Sequence, residues 1–159
     1  TVFAIVRFTA ALVDLQTIIA SADEAVGDNY WILRSYRTAA TPNMSIVQRN
    51  ADIVDEVRGG TVLVAGSVYL QMARSSGTAY QLRLDGADEV LTVVSGADNG
   101  DWLGDATLRD SFSLGGLKLT SETQFLKGDL GEVIMYDTGL SAADITRVET
   151  YLNDRWAAF

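Results

Sequence analysis

The sequence contains no cysteine and no histidine among its 159 residues, and only one proline. Without cysteine, disulfides, thiolate nucleophiles and zinc–sulfur sites are all excluded. Without histidine there is no imidazole to act as a general base or a metal ligand, so Ser-His-Asp catalysis is excluded too. The redox compartment stays open, because a cysteine-free domain folds equally well inside or outside a cell.

Positive charge is also scarce. Twelve basic residues stand against twenty-one acidic ones, which gives a net charge of −9. An acidic surface repels phosphate backbones and anionic lipid, so we expect no nucleic-acid partner. No apolar run approaches the length of a membrane span, so we expect no membrane insertion. The arginines are scattered without an interleaved aromatic stripe and are predicted to be solvated: Arg34, Arg37, Arg49 and Arg74.

The length and the 48% hydrophobic fraction are those of one globular domain over residues 1–159. No linker, internal repeat or low-complexity tract divides the chain. The chain opens at Thr1 without a methionine, so we expect a processed product or part of a longer polypeptide.

Short strands separated by turns account for most of the chain. In residues 1–8 both alternating sets are apolar, which predicts an interior strand covered on both faces. Residues 80–84 instead alternate apolar and polar side chains, and Asp85-Gly86 follows as a turn signal. Many short strands at such intervals predict an all-β protein, a two-sheet antiparallel jelly-roll sandwich.

Three segments allow more than one interpretation. Residues 51–58 are compatible with a short helix capped by Asn50, a strand or a loop. Residues 61–73 alternate as one strand interrupted by Gly66, a bulge or bend. Residues 108–114 predict a half-exposed strand.

One C-terminal helix is predicted over about residues 141–156. Ser141 is suited to cap its first turn, and Asp144 three residues later completes a capping box. Leu140 and Ile145 occupy the positions of a hydrophobic staple. An apolar stripe then follows at helical spacing, with the last member as a core anchor: Ile145, Val148, Leu152 and Trp156.

These residues resemble the concanavalin A-like lectin/glucanase superfamily, specifically its laminin-G-like jelly rolls. Three segments carry the resemblance: residues 1–8 with 16–21, residues 80–86, and residues 127–137 with the helix. The resemblance implies a sandwich that hosts lectins, glycosidases, adhesion modules or virion proteins. The start looks abbreviated, since such domains often have one or two earlier strands. The composition is also reminiscent of bacterial surface and phage versions, which is analogy.

Catalysis is disfavoured by the residues around Glu132. Glycoside hydrolysis needs two carboxyl groups across the scissile bond. Sandwich glucanases of this superfamily supply them in a Glu-x-Asp-x-Glu pattern, but here positions 134 and 136 are Ile and Tyr. We therefore expect a protein that is not an enzyme, with no catalytic residue, and a structural role for Glu132.

The loop of residues 98–105 is the best candidate for a binding site. Trp102 is able to stack on a sugar ring or to cap the edge of the core. Oxygen donors suited to Ca²⁺ are crowded around it: Asp98, Asn99, Asp101 and Asp105. No bidentate Glu follows as in an EF-hand, and a plain Asp-Gly-rich loop is the alternative.

A second acidic segment, residues 23–29, precedes Tyr30 and Trp31. We expect it to neighbour the first loop at one end of the sandwich. Tyr30 and Trp31 point to opposite faces, so one is a candidate ligand platform and the other is core. The predicted ligand-binding set is Trp102, Asp101, Asn99, Tyr30 and Asn29.

Three functions are open from the sequence. The first is a non-catalytic carbohydrate-binding or adhesion module, which contacts a glycan or cell-surface polysaccharide, with or without Ca²⁺, on a larger extracellular, cell-surface or virion assembly. The second is a structural decoration domain of a phage capsid or tail that contacts only protein neighbours. The third is a divergent glycoside hydrolase.

Overall fold

The computed structural model describes residues 1–9, 14–38, 41–51 and 53–159. Within these ranges there are thirteen strands and one helix. In chain order they are β1 (Val2–Phe8), β2 (Gln16–Ala22), β3 (Asn29–Thr38), β4 (Thr41–Asn50), β5 (Ile53–Val62), β6 (Val68–Ser75), β7 (Tyr80–Leu84), β8 (Ala87–Asp88), β9 (Thr92–Ser95), β10 (Ser111–Leu114), β11 (Leu117–Lys118), β12 (Glu122–Thr123), β13 (Gly128–Met135) and α1 (Ala142–Trp156).

The strands form two large sheets and a small hairpin. The five-stranded sheet has the order β13-β1-β6-β7-β8, and the six-stranded sheet has the order β10-β2-β3-β4-β5-β9. β11 and β12 pair separately. All strand pairs are antiparallel. The predicted all-β antiparallel sandwich with one C-terminal helix is confirmed.

The main core lies between the two sheets. β1 contributes Val2, Ala4, Val6 and Phe8, which belong to the same buried cluster as Trp31. Burial of this apolar surface between two stacked layers is the main favourable term in folding. Residues 80–84 add their predicted apolar side, since Tyr80, Leu82 and Leu84 join this core.

The helix covers the outer face of the five-stranded sheet. Phe3 and Ile5 of β1 form a second cluster with Ile145 and Leu152 of α1. The interior strand predicted from residues 1–8 is therefore covered on both faces, as expected.

The start of α1 has the predicted cap. Ser141 Oγ accepts a hydrogen bond from the Asp144 amide at 3.2 Å and donates one to Asp144 Oδ2 at 2.6 Å. The bond from the Asp144 amide satisfies one of the amides that lack a partner in the first turn of a helix. The Asp144 carboxylate thus bonds the Ser141 hydroxyl, where the predicted capping box would have it accept from the Ser141 amide. At the other end the prediction for Trp156 is wrong. The ring is 37% exposed, and its Nε1 donates to Glu132 Oε2 at 2.9 Å instead of entering the core.

The ambiguous segments are resolved as strands and turns. Residues 53–62 form β5. The single strand predicted over residues 61–73 is two strands, because Gly66 adopts φ +93° in the intervening turn. Leu108 stands outside β10 with φ +55°, so the predicted alternation starts only at Ser111.

The outer face of the six-stranded sheet is covered only in part. A third cluster places Ala20, Ala22, Ile32 and Val47 of this face against Leu117 of the β11–β12 hairpin. The remainder of the face, toward the β3–β4 turn, carries polar side chains and holds the candidate site. In the described ranges, no helix is long and apolar enough to cross a membrane.

Candidate functional site

The loop of residues 98–105 is bound tightly to the end of the sandwich. Asp98 Oδ1 accepts from the Tyr80 amide at 2.6 Å, and Asp105 Oδ2 accepts from the Trp102 amide at 2.6 Å. Asn99 Nδ2 donates to Asp101 Oδ2 at 2.8 Å. These side chains therefore have structural partners within the fold.

Asp55 holds this loop to β5, and the sequence did not single it out. Its buried carboxylate accepts from the Ala97 amide at 2.7 Å and from Asn99 Nδ2 at 3.1 Å. The pattern of apolar and polar residues does not distinguish Asp55 from the other acidic residues, of which the sequence has twenty-one in all.

The predicted calcium ligands do not gather into a metal centre. In the described part of the chain, no three His, Cys, Asp or Glu side chains are placed to hold a metal ion. The set Asp98, Asn99, Asp101 and Asp105 is instead linked to neighbouring amides and to Asp55. Calcium binding here stays a prediction of the sequence.

The predicted aromatic platforms lie on different sides of the six-stranded sheet. Trp31 is fully buried in the main core, and Trp102 packs on it edge-to-face at 4.8 Å between ring centroids. Tyr30 packs on the outer cluster under the β11–β12 hairpin. Asn29 Oδ1 accepts from the Ala51 amide at 3.0 Å. One small ligand would therefore not contact both Trp102 and Tyr30.

The two acidic loops do lie at the same end of the sandwich, as expected. The Glu24 amide donates to Asp110 Oδ1 at 2.8 Å, so residues 23–28 contact the segment that continues from residues 98–105. Thr107 Oγ1 donates to Asn50 Oδ1 at 2.9 Å next to the start of β3.

A different group of side chains concentrates charge on the outer face of the six-stranded sheet. We call Arg34, Tyr36, Glu56 and Arg58 the arginine cluster. Arg34 and Arg58 both stand opposite Ser45 of β4, in the registers of β3–β4 and β4–β5. Directly paired residues of a sheet share one face, so both arginines lie on the same side.

This side is the outer one, because the alternate residues enter the core. Leu33, Ile46 and Val57, which are the chain neighbours of Arg34, Ser45 and Arg58, all belong to the cluster between the sheets. The period of two along each strand then turns the arginines away from that cluster.

Glu56 pairs with both guanidinium groups. Its Oε1 lies 3.4 Å from Arg34 Nη2 and 3.2 Å from Arg58 Nε. The Arg58 guanidinium also lies over the Tyr36 ring at 3.3 Å from its centroid, and that of Arg34 lies at 5.1 Å. Two cations and one carboxylate leave these side chains with a formal charge of +1 in a protein of −9.

Arg34 is held from two further directions. Its Nε donates to Ser45 Oγ, and its Nη1 donates to Gln124 Oε1, both at 3.4 Å. Arg34 is only 5% exposed, so the prediction that it is solvated is wrong. The side chain of Arg37 lies outside the part of the chain that the structure describes.

An open depression of about 300 Å³ begins beside Arg58. Its walls carry hydroxyl, amide and apolar groups from β4, β5 and β9: Thr41, Asn43, Val62, Thr92 and Val94. Gly59 and Gly60 also line it, and the Glu89 side chain occupies the space where a Cβ on Gly59 would lie. Concave sites with a few placed polar groups are the usual form of small-ligand sites.

Sequence reasoning missed the arginine cluster, although a signal exists. Arg34 and Tyr36 are two residues apart, as are Glu56 and Arg58, so each pair shares a face of a strand. What joins the two pairs is the β3–β4–β5 register, and a single sequence does not show which strands are neighbours.

Glu132 lies away from this face, on the helix side of β13. Its carboxylate accepts from Trp156 Nε1 at 2.9 Å and from the Tyr151 hydroxyl at 3.2 Å, and it pairs with Arg155 at 3.3 Å. The hydrogen bond from Trp156 is the main reason why the pKa of Glu132 is lowered from its ordinary value. A general acid in glycoside hydrolysis needs a raised pKa, so Glu132 is poorly suited to that role.

No family model and no curated protein sequence matches the chain. Solved structures do. The CBM40 of the Ruminococcus gnavus IT-sialidase bound to α2,3-sialyllactose superposes with a TM-score of 0.75 at 16% identity, over 93% of this chain and 80% of that one. The same CBM40 bound to α2,6-sialyllactose gives a TM-score of 0.68 at 16% identity, over 93% and 81%.

A larger protein shows the same likeness. The leech intramolecular trans-sialidase complexed with 2,7-anhydro-Neu5Ac gives a TM-score of 0.70 at 17% identity, over 92% of this chain and 22% of that one. At these identities the similarity shows the fold. The chain has the jelly-roll, lectin-like sandwich fold.

Proposed function

We propose that this protein is a carbohydrate-binding module that recognises an acidic, carboxylate-bearing sugar at the arginine cluster. The observation that carries the proposal is the pair of guanidinium groups that share the outer face of the six-stranded sheet with Tyr36 and with one carboxylate.

The chemistry of the arginine cluster favours an anionic ligand. Guanidinium groups present paired N–H donors that match the geometry of a carboxylate. A local positive site in an otherwise acidic protein attracts an anion to this face and repels it elsewhere. In the adjoining depression the Thr92 hydroxyl lies where a sugar hydroxyl would bind, and Val62 and Val94 line it for the apolar parts of the sugar. The Asn43 amide nitrogen already donates to the Gly60 and Thr61 carbonyls.

The structural neighbours support the same class of ligand. Two of them are named as complexes of a CBM40 with sialyllactose, whose terminal sugar bears a carboxylate. The likeness itself concerns the fold, so the proposal for this chain stands on its own arginines.

We propose that binding occurs without catalysis. The carboxylate of Glu132 is fixed by the helix and has a lowered pKa, and the superfamily's Glu-x-Asp-x-Glu pattern is absent. Release of reducing sugar from sialyllactose, lost in a Glu132→Gln variant, would overturn this part.

The wider setting belongs to the same proposal. Display on an extracellular, cell-surface or virion assembly, and membership of the laminin-G-like branch of the concanavalin A-like superfamily, rest on the sequence resemblance. A purely structural decoration domain is the competing function. It predicts no binding to any glycan.

Isothermal titration calorimetry with 3′-sialyllactose and lactose tests the proposal. We expect binding of the acidic trisaccharide and at least about tenfold weaker binding of neutral lactose, a difference of about 1.4 kcal/mol. Equal affinities, or no binding of sialyllactose, would contradict it.

Arg58→Ala should remove most of this binding, and Arg58→Lys should keep the charge but lose the paired donors. Arg7→Ala is the matched control. Arg7 also pairs with a carboxylate, Asp129 at 2.7 Å, but on the other sheet. Its removal should leave the affinity unchanged.

A further inference from the structure

Phe125 presents an aromatic ring to solvent near the arginine cluster. The residue is 56% exposed, although it precedes an ordered strand, β13. One edge of its ring lies close to Gly116, where an added Cβ would be 3.4 Å from Cδ1 of the ring. This is an ordinary van der Waals distance, so the ring lies beside the Gly115-Gly116 turn.

The backbone on both sides of Phe125 is fixed. The Leu126 amide donates to the Gly115 carbonyl at 2.8 Å, and the Thr17 amide donates to the Gln124 carbonyl at 2.8 Å. The ring is thus carried by a segment bonded to β2 and to the Gly115-Gly116 turn. A ring held in place before binding loses little conformational entropy when a ligand stacks on it.

Phe125 lines two depressions. One, of about 270 Å³, is lined by Gly115, Gly116 and Glu122 among others. The other, of about 420 Å³, is lined by Gln124 and by Asp14 and Lys127, which pair at 2.8 Å. The exposed ring therefore has polar hydrogen-bonding groups on both sides, the combination that a sugar with one apolar face requires.

Gln124 connects this ring to the arginine cluster. Its Oε1 accepts from Arg34 Nη1 at 3.4 Å, and Gln124 and Phe125 line the same depression. Phe125 follows Gln124 directly, so its backbone lies next to a residue that contacts the Arg34 guanidinium.

We propose that Phe125 is the platform for the sugar adjacent to the acidic sugar in the glycan chain. This inference rests on the proposed function. The arginine cluster binds the carboxylate of the terminal residue, and Phe125 stacks on the apolar face of the next pyranose. Phe125 is a specificity residue for the length of the glycan and not for its charge.

The test compares N-acetylneuraminic acid with 3′-sialyllactose by calorimetry. The unaltered chain should bind the trisaccharide about tenfold more tightly, which corresponds to about 1.4 kcal/mol for one stacked ring. Phe125→Ala should lower the affinity for the trisaccharide to that for the monosaccharide, while the affinity for the monosaccharide changes by less than about twofold. Phe125→Tyr should keep the preference.

Phe112→Ala is the matched control, because Phe112 is 53% exposed on β10 and lines neither depression. It should leave both affinities unchanged. A Phe125→Ala chain that keeps its full preference for the trisaccharide would overturn this inference alone. Binding of neither ligand by the unaltered chain would overturn the proposed function as well.

Discussion

The outer faces of the two sheets differ in what packs against them. On the five-stranded sheet, the outward residues of β1 are Phe3 and Ile5, and α1 covers them. On the six-stranded sheet, the outward residues of β3 and β5 include Arg34, Glu56 and Arg58, and a depression opens beside Arg58. One face is covered by the helix, and the other carries the proposed ligand site.

This difference follows from the free energy of exposing each face to water. Exposed apolar side chains must find a cover, and the amphipathic helix supplies it. On the six-stranded sheet the charged groups satisfy one another instead, since Arg34 and Glu56 are buried together as an ion pair.

Leu152→Ala should have the largest effect on stability. Leu152 is fully buried between α1 and the five-stranded sheet. Loss of its side chain leaves a cavity, and we expect the free energy of unfolding to fall by about 3 kcal/mol in urea denaturation. Val62→Ala on the open face, where Val62 is 46% exposed, should cost less than about 0.5 kcal/mol. Equal losses at the two positions would remove the proposed contrast between the faces.

Glu149→Gln tests a buried ion pair between α1 and the five-stranded sheet. Glu149 Oε1 lies 2.7 Å from Arg83 Nε, and this hydrogen bond is the main reason why the pKa of Arg83 is raised. Removal of the carboxylate should cost about 2 kcal/mol, because the Arg83 side chain is largely buried. Asp154→Asn, at an exposed position of the same helix, is the control and should be close to neutral.

The sequence predicts the covered face much better than the open one. Alternation with period two in the strand and helical spacing in α1 predict apolar faces on both elements. The structure joins these faces in one cluster that contains Phe3, Ile5, Ile145 and Leu152. The same periodicity does not predict a site on the open face, because polar side chains alternate there as they do on any solvated strand. The sequence predicts Arg34 in solvent, and the β3–β4–β5 register brings it beside Arg58.

Ser141→Ala should destabilise the first turn of α1, the helix that covers the five-stranded sheet. The Ser141 hydroxyl accepts from the Asp144 amide, and such caps contribute about 1 kcal/mol. Thermal unfolding should show a loss of that size. Ser141→Asp should restore most of the stability, since Asp also caps well. No loss in the alanine variant would mean that packing alone sets where α1 begins.

Low pH should destabilise both ends of α1 slightly. The pKa of Glu132 is lowered, chiefly by the Trp156 hydrogen bond, and that of Asp144 is lowered, chiefly by Ser141. A lowered pKa in the folded state stabilises the fold above the unfolded pKa, and this contribution is lost as pH falls through the folded pKa. The melting temperature should therefore drop below about pH 4, and less so in Glu132→Gln. An identical pH profile in that variant would contradict the assigned role of Glu132.

The most direct test of the account maps where an acidic glycan binds. Backbone amide shifts, recorded by NMR during titration with 3′-sialyllactose, compare the open face with the loop that the sequence favoured. We predict shifts at Arg34, Ser45 and Arg58, with little change over residues 98–105. Shifts centred on Trp102 and the aspartates of that loop, with an unchanged arginine cluster, would contradict the account.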